Sequence, residues 1–182
     1  MAESLIGLDI GRSFIKVVQI KKDGGKMQLT SCATVVTPSG GIQSDSPFEL
    51  KRVSEAIRNC VKAAKADGDK CAVSLVESQV VTRLIEMPNL TDKELSSAIN
   101  WEADQYVPLP IRDVNLQYQI ISRPDAATPG AKMQVLLIAA PKRMVEKYIK
   151  VVKDANLDVR ALETESTSLA RALLKLGDPP SV

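Results

Sequence analysis

Three polar residues and a glycine near the start of the chain have the types and spacing of a phosphate site. Asp9 ends a short apolar run, Gly11 follows it, and Ser13 and Lys16 come next. A carboxylate at the end of a buried strand costs free energy unless it is solvated or bound. Glycine lets backbone N–H groups approach an anion, and a hydroxyl and an ammonium add donors. The pattern predicts a phosphate cradle in which Asp9 holds a hydrated Mg²⁺ ion, with an ordinary tight turn as the alternative.

The composition excludes several other chemistries. The chain has 182 residues, no histidine, and three cysteines (Cys32, Cys60 and Cys71) without a CxxC pair. Ser-His and Cys-His nucleophiles are therefore excluded, a zinc site is not expected, and the thiols should be reduced and partly buried. A net charge of +2 and 3% aromatic residues argue against a nucleic-acid partner. No apolar run approaches the ~20 residues that span a bilayer, so the chain is expected to be cytosolic and to meet a membrane only indirectly.

A meander of strands is expected to position the polar residues. Apolar runs predict strands over residues 4–10, 14–20 and 27–37. A helix should then begin at Pro47, with Ser46 as its N-cap and Glu49 as the carboxylate of a capping box, and end at Gly68. A buried strand at 72–76 completes the order β-β-β-α-β.

A second group of elements follows this meander. Its predicted strands cover 80–87, 114–121 and 134–140, and its predicted helices cover 91–106 and 141–156. Thr91 and Glu94 form a second capping box at the start of the first of these helices. The inner face of that helix is predicted to carry Leu95, Ala98, Ile99 and Tyr106, and Trp101 lies off this face.

A last strand at 158–162 and a helix at 164–176 fit as a return to the first sheet. We therefore predict an α/β fold in two parts. Residues 1–78 with 158–182 form the first subdomain, and residues 79–157 form a β-α-β-β-α insertion. No internal repeat or low-complexity segment interrupts this order.

The segment that carries the polar residues, GLDIGRSFIK, resembles the first phosphate motif of the actin-like ATPase superfamily. The resemblance implies an actin-like, ribonuclease-H-like half with ATP and Mg²⁺ as cofactors. It implies a nucleotide-binding set of Asp9, Gly11, Arg12, Ser13 and Lys16. Arg12 departs from the pattern because it stands where members often have a small polar residue. Its guanidinium would either crowd the phosphates or pair with one of them.

The insertion is similar to that of the type IV pilus assembly protein PilM family, a relative of the cell-division protein FtsA. In these proteins, as predicted here, the extra subdomain follows the fourth strand instead of the third. The most specific match is WEADQYVPLP at residues 101–110, and residues 139–142 and 162–166 also match. The resemblance covers nearly all of the chain and implies the N-terminal half of such a protein.

The family resemblance also implies a function. It implies a scaffold of the type IV pilus inner-membrane platform, cytoplasmic and peripheral at the membrane through its partners. A groove between the first subdomain and the insertion should take the N-terminal peptide of PilN in extended form. The expected partner-binding residues are Met87, Pro88, Leu90, Trp101, Gln105 and Tyr106. With only half of an ATP site, the chain alone is expected to bind ATP weakly and to hold no catalytic residue.

Three other functions stay open at this point. An actin-like ATPase or sugar kinase would need a catalytic base near the phosphoryl acceptor, and the sequence offers no clear one. An FtsA-like filament protein would carry an amphipathic C-terminal anchor, which these residues lack. A cytoplasmic domain of a type II secretion system is a close cousin that the motifs do not separate cleanly.

Overall fold

The computed structural model describes residues 5–124 and 130–174 of the chain. In chain order the elements are β1 (Ile6–Ile10), β2 (Phe14–Asp23), β3 (Lys26–Val36), α1 (Pro47–Ala64), β4 (Lys70–Leu75), β5 (Val81–Pro88), α2 (Asp92–Asp104), β6 (Val114–Ser122), β7 (Lys132–Pro141), α3 (Lys142–Asp154), β8 (Asp158–Thr164) and α4 (Glu165–Leu173). Short 3₁₀ turns lie at Gly41–Gln43, Glu77–Gln79 and Ile111–Asp113. The mixed α/β fold predicted from the sequence is confirmed.

The chain divides into two compact units. The first comprises Met1–Glu77 with Glu146–Val182, and the second is Ser78–Val145. Compactness thus assigns most of α3 to the first unit, whereas the insertion predicted as residues 79–157 included this helix. The family-type insertion at 79–157 stays a prediction. Each unit has its own sheet.

The first unit contains a five-stranded sheet in the order β3-β2-β1-β4-β8. The pairs β1–β2 and β2–β3 are antiparallel, whereas β4 runs parallel to both β1 and β8. Alternate residues of β1 (Ile6, Leu8 and Ile10) are buried, as are Ile15 and Val17 of β2. Because successive side chains of a strand point to opposite faces, these residues form one apolar face.

Helix α1 contributes its own buried stripe to this core. Its buried apolar residues are Val53, Ile57, Cys60 and Ala64. The Cys60 thiol lies 3.6 Å from the Ile15 carbonyl oxygen, which places the helix against β2. Burial raises the pKa of the Cys60 thiol and raises that of Cys71 to about 11, while Cys32 is exposed. The prediction of partly buried thiols is therefore confirmed.

The ends of α1 differ in detail from the sequence prediction. Ser46 is the N-cap and proline occupies the first turn, but the Ser46 side chain makes no capping bond. The carboxylate of Glu49 instead accepts a hydrogen bond from the Ser44 hydroxyl. The helix ends at Lys65 in the left-handed conformation, with φ of 52°, and not at Gly68. The predicted end at Gly68 is therefore wrong. Glycine usually takes the left-handed position at a helix end, and here a lysine takes it.

The second unit packs α2 and a three-stranded antiparallel sheet, in the order β5-β7-β6, around one core. At the start of α2, the Thr91 hydroxyl accepts the Glu94 N–H and the Glu94 carboxylate accepts the Thr91 N–H, so the predicted capping box is confirmed. The buried face of α2 is Leu95, Ile99 and Ala103. Tyr106 was expected on this face, but the helix ends before it and its side chain is exposed.

The remaining elements return the chain to the first sheet. Asn156, just beyond α3, has φ of 64°, a left-handed conformation that asparagine adopts at helix ends. β8 then pairs with β4, and Thr164 caps α4 by accepting the Thr167 N–H. The predicted end of the last helix, at residue 176, lies outside the described residues. In the part of the chain that the structure describes, no helix is long and apolar enough to span a membrane.

Candidate functional site

Asp9 lies in a row of polar residues that crosses one face of the first sheet. The register places it beside Lys16 on β2 and beside Ser74 on β4. The Lys16 ammonium donates to one carboxylate oxygen of Asp9 at 2.9 Å, and the Ser74 hydroxyl donates to the other at 3.0 Å. Both Asp9 oxygens therefore already have a donor within the chain.

The Lys16–Asp9 pair changes the electrostatics expected for a phosphate cradle. The hydrogen bond from Lys16 to Asp9, reinforced by the negative charge of Asp9, raises the pKa of the Lys16 ammonium above its ordinary value. The Lys16 side chain is 56% exposed, so water screens the pair and it adds little stability. Its effect is local neutralisation, because one cation and one carboxylate of the motif cancel each other.

Gly11 makes the turn between β1 and β2 possible. Its N–H donates to the Phe14 carbonyl at 3.0 Å, and its carbonyl accepts the Thr37 hydroxyl at 2.8 Å. A Cβ atom at position 11 would lie 2.8 Å from the Phe14 carbonyl oxygen, closer than real Cβ contacts come. The glycine is thus required for the close approach of two backbone segments, and its N–H closes the hairpin.

The predicted nucleotide residues therefore fall into two groups. Asp9 and Lys16 contact each other, while Arg12 and Ser13 are exposed at the tip of the hairpin. The exposed tip fits part of a phosphate group. The described residues contain no group of three or more carboxylates or thiols that could hold a metal ion, and both Asp9 oxygens accept hydrogen bonds. The hydrated Mg²⁺ ion expected at Asp9 stays a prediction.

A loop without a predicted function borders this hairpin. It connects β3 to α1 and contains consecutive glycines, Gly40 and Gly41, with φ of 81° and 54°. A cleft of about 260 Å³ lies between the loop and the hairpin. Residues 37–43 and the hairpin residues Gly11 and Arg12 line it, and Ile10 and Val76 close it at the strand ends. The consecutive glycines were the available sequence signal, because glycine adopts positive φ far more readily than other residues.

Lys147 of α3 fixes the far end of this loop. Its ammonium donates to the Ser44 carbonyl at 2.9 Å and to the Asp45 carboxylate at 2.7 Å. The Lys147 side chain is only 18% exposed, so the contact is better shielded from water than the Lys16–Asp9 pair. Lys147 therefore holds the loop against α3.

The second unit presents a different kind of candidate site. Trp101, on the outer face of α2, is 71% exposed, and Tyr106 is 43% exposed. Gln105, one helical turn after Trp101, and Pro88 at the end of β5 are also exposed. An aromatic side chain that remains in water leaves apolar area available for a partner, and tryptophan and tyrosine are enriched at interface hot spots.

Two other residues predicted to bind a partner, Met87 and Leu90, are buried or half-buried. Met87 is 2% exposed and lies in the core with Leu95 and Met133. Strand alternation explains this, since Met87 shares the inner face of β5 with Ile85. Leu90 is half-buried and packs against the same core. Met87 therefore cannot contact a partner without unfolding of the strand.

A five-stranded sheet with a β-β-β-α-β-β order, a glycine hairpin that carries an aspartate, and a separate α/β unit after the fourth strand define a half of an actin-like protein. The family described as type IV pilus assembly protein PilM matches residues 7–178. The chain belongs to this family.

Solved structures agree with this assignment. The chain superposes on the structure titled "PilM-PilN type IV pilus biogenesis complex" with a TM-score of 0.80 and 25% identity, over 93% of this chain and 49% of that one. The chain thus spans about half the length of this relative. It also resembles the cytoplasmic domain of EpsL, an inner-membrane component of the type II secretion system of Vibrio cholerae. That match has a TM-score of 0.58 and 12% identity, over 89% of this chain and 57% of that one, and shows the fold alone.

Proposed function

We propose that this chain is a scaffold of the type IV pilus inner-membrane platform that binds the N-terminal peptide of PilN and contributes half of an ATP site. Its place would be the cytoplasmic side of the inner membrane, where other platform proteins hold it. The observation that carries the proposal is the PilM family match over residues 7–178 together with an exposed aromatic surface on the second unit.

We define the aromatic surface as the exposed residues Trp101, Gln105 and Tyr106 in and just after α2. Pro88 at the end of β5 is also exposed, whereas Leu90 is half-buried against the core. The two rings of this surface are exposed although α2 buries a full apolar stripe on its other face. Folding of this unit therefore does not use the ring of Trp101. An extended peptide with apolar side chains would cover that ring and gain the free energy of burying it.

The structural match supports PilN as the partner, since the matched structure is of a PilM-PilN complex. Asp9, which resembles the metal-side aspartate of actin-like ATPases, is held by Lys16 and Ser74. The ATP part of the proposal is therefore limited to Gly11, Arg12 and Ser13 on the hairpin, with further contacts from a second half.

Titration of a synthetic PilN N-terminal peptide into the whole chain, followed by calorimetry, tests the proposal. We expect Trp101→Ala to weaken binding by at least about 30-fold, since hot-spot truncations cost ~2 kcal/mol or more. Tyr106→Ala should also weaken it. Tyr118→Ala is the matched control for Tyr106→Ala, because it removes a tyrosine of similar exposure (38% against 43%) from β6 of the same unit. Equal affinity for wild type, Trp101→Ala and Tyr106→Ala would eliminate the aromatic surface as the docking site.

The type II secretion alternative is retained because the EpsL domain has the same fold. The same titration distinguishes the two systems when a peptide from a type II secretion partner is used alongside the PilN peptide. Tighter binding of the PilN peptide supports the pilus function, and tighter binding of the other peptide supports a role in type II secretion.

A further inference from the structure

Strand β3 forms one edge of the first sheet, and within the described residues no strand pairs with its outer side. We propose that this edge pairs antiparallel with β3 of a second copy of the chain, over residues 32–36. The pairing would join the sheets of the two copies into one continuous sheet. It goes beyond the proposed function, because it neither uses nor requires the aromatic surface of the second unit.

The backbone groups of β3 point alternately to β2 and to the free edge. The Thr37 N–H donates to the Ser13 carbonyl at 2.9 Å, so residue 37 faces β2. The pairing with β2 is regular through this half of the strand. Alternate residues of an antiparallel strand direct their N–H and C=O groups to the same side. The N–H and C=O groups of Cys32, Thr34 and Val36 therefore face outward, where another strand can bond to them.

Three outward residues at this spacing can pair with a copy of themselves about a two-fold axis. With Thr34 opposite Thr34 of the second copy, Cys32 of each copy lies opposite Val36 of the other. Each of these pairs can then exchange N–H to C=O hydrogen bonds. All three side chains are exposed, and Val36 is 72% exposed. Paired threonines hydrogen-bond and paired apolar side chains bury area, and both contribute to sheet stability.

The paired segment lacks the features that protect the edges of sheets. Residues 31–36 (SCATVV) contain no charge, proline or glycine. The opposite edge strand, β8, is different, because three of its seven residues (Asp158, Arg160 and Glu163) are charged. Charged side chains on an edge strand oppose its pairing with a copy of itself. The edge at β3 is therefore the one that suits a second copy.

The charges at the β2–β3 turn favour the antiparallel arrangement. Lys21, Lys22 and Lys26 lie at or next to this turn. Antiparallel pairing over residues 32–36 directs the turns of the two copies away from each other, whereas parallel pairing would place the lysines side by side. The paired edge is short, so the interface belongs to the small class, and we expect a dimer that dissociates on dilution.

Sedimentation equilibrium of the whole chain tests the proposal. We expect a monomer–dimer equilibrium over a concentration series that reaches the millimolar range. Thr34→Glu should weaken the dimer about tenfold or more, because two carboxylates would then lie directly opposite each other at the axis. Gln28→Glu is the matched control, since it makes the same charge change at an exposed position of β3 outside the paired segment. Each new carboxylate faces a lysine of β2, Lys16 or Lys21, so both variants should fold.

Disulfide trapping tests the register. In a Cys32→Ser background, Thr34→Cys would place two thiols at the axis, with Cα atoms about 5.5 Å apart. This lies within the ~4.4–6.8 Å range of disulfides, so mild oxidation should trap the dimer. The wild-type chain is the control, because its Cys32 thiols would be offset by ~13 Å along the strands and its other two thiols are buried.

A dimer that Thr34→Glu weakens and Gln28→Glu does not supports the proposal, as does trapping through Thr34→Cys. A monomer at every concentration would overturn it, and so would equal weakening by the two glutamate variants. Trapping of the wild-type chain in preference to Thr34→Cys would overturn the register. Circular dichroism of each variant verifies that it is folded.

Discussion

The hairpin of the first unit and the helix end of the second unit use their conspicuous residues in opposite ways. In the hairpin, the aspartate, the lysine and the glycine N–H all have hydrogen-bond partners within the chain. At the end of α2, Trp101 has an apolar stripe behind it and most of its own ring in water. The polar groups of the first region resemble a site for chemistry, but they already form hydrogen bonds within the chain. The second region instead exposes apolar area that a partner could cover.

This difference indicates where binding free energy is available. A ligand at Asp9 and Lys16 must replace a hydrogen bond that already exists, so it gains only the difference between two similar interactions. A partner at Trp101 removes apolar area from water without breaking any bond, at roughly 25 cal/mol per Å². The comparison therefore favours partner binding over ATP chemistry as the role of this chain.

The largest difference in stability is expected between alanine variants of Met87, in the core, and Trp101, on the surface. Met87→Ala should lower the free energy of unfolding by ~2–5 kcal/mol, because it leaves a cavity in the second core. Trp101→Ala should change it by about 0.5 kcal/mol or less, since its ring is mostly in water. Urea denaturation measures both. Similar losses in the two variants would show that Trp101 is a structural residue and would break the comparison.

Gly11→Ala tests whether the hairpin is built around its own backbone contacts. The added Cβ would meet the Phe14 carbonyl, so we expect a loss of ~1–3 kcal/mol in unfolding free energy, as for overpacked sites. Gly24→Ala provides a contrast, because a Cβ there meets no atom within 4 Å and only its positive φ of 53° is unfavourable. A larger loss at Gly24 than at Gly11 would contradict the assigned role of Gly11.

The N-cap of α2 should contribute more to stability than the N-cap of α1. Thr91→Ala removes a formed capping box and should cost ~1 kcal/mol. Ser46→Ala removes a hydroxyl that makes no capping bond and should cost less. Thermal unfolding of both variants gives the ranking, and the reverse order would show that the Ser46 hydroxyl caps α1 in solution.

The smallest expected effect is the response to ATP. We expect calorimetry to show no micromolar ATP affinity for this chain, with or without Mg²⁺, since each missing charge-assisted hydrogen bond costs ~1.5–3 kcal/mol. A micromolar dissociation constant would overturn the half-site proposal. It would also remove the contrast between the two regions.

Much of the fold could be predicted from the sequence because its signals are local. Alternating apolar residues gave the strands of the meander, and the Thr91–Glu94 spacing gave a cap that the structure contains. The end of α1 could not be predicted, because Lys65 takes a left-handed conformation that glycine usually takes. Tyr106 was assigned to the inner face of α2 because the helix was drawn two residues too long, past its end at Asp104.

The candidate sites were predicted less completely, since they depend on contacts between distant segments. The types and order of Asp9, Gly11 and Lys16 were visible, but the bond between Lys16 and Asp9 follows from the pairing of β1 with β2. Met87 was placed on a partner surface through the family resemblance; its orientation depends on which face of β5 meets α2. The cleft beside Arg12 was not anticipated, because its wall comes from a loop without periodicity.

The most direct measurement is a map of the PilN peptide on the ¹⁵N-labelled chain. Titration followed through amide and indole N–H signals reports both units in one experiment, and Trp101 is the single tryptophan of the sequence. The account predicts that the Trp101 indole signal and the amides of residues 101–106 shift most, while those of residues 9–16 stay in place. A saturable response confined to the hairpin, with the indole signal unchanged, would contradict it.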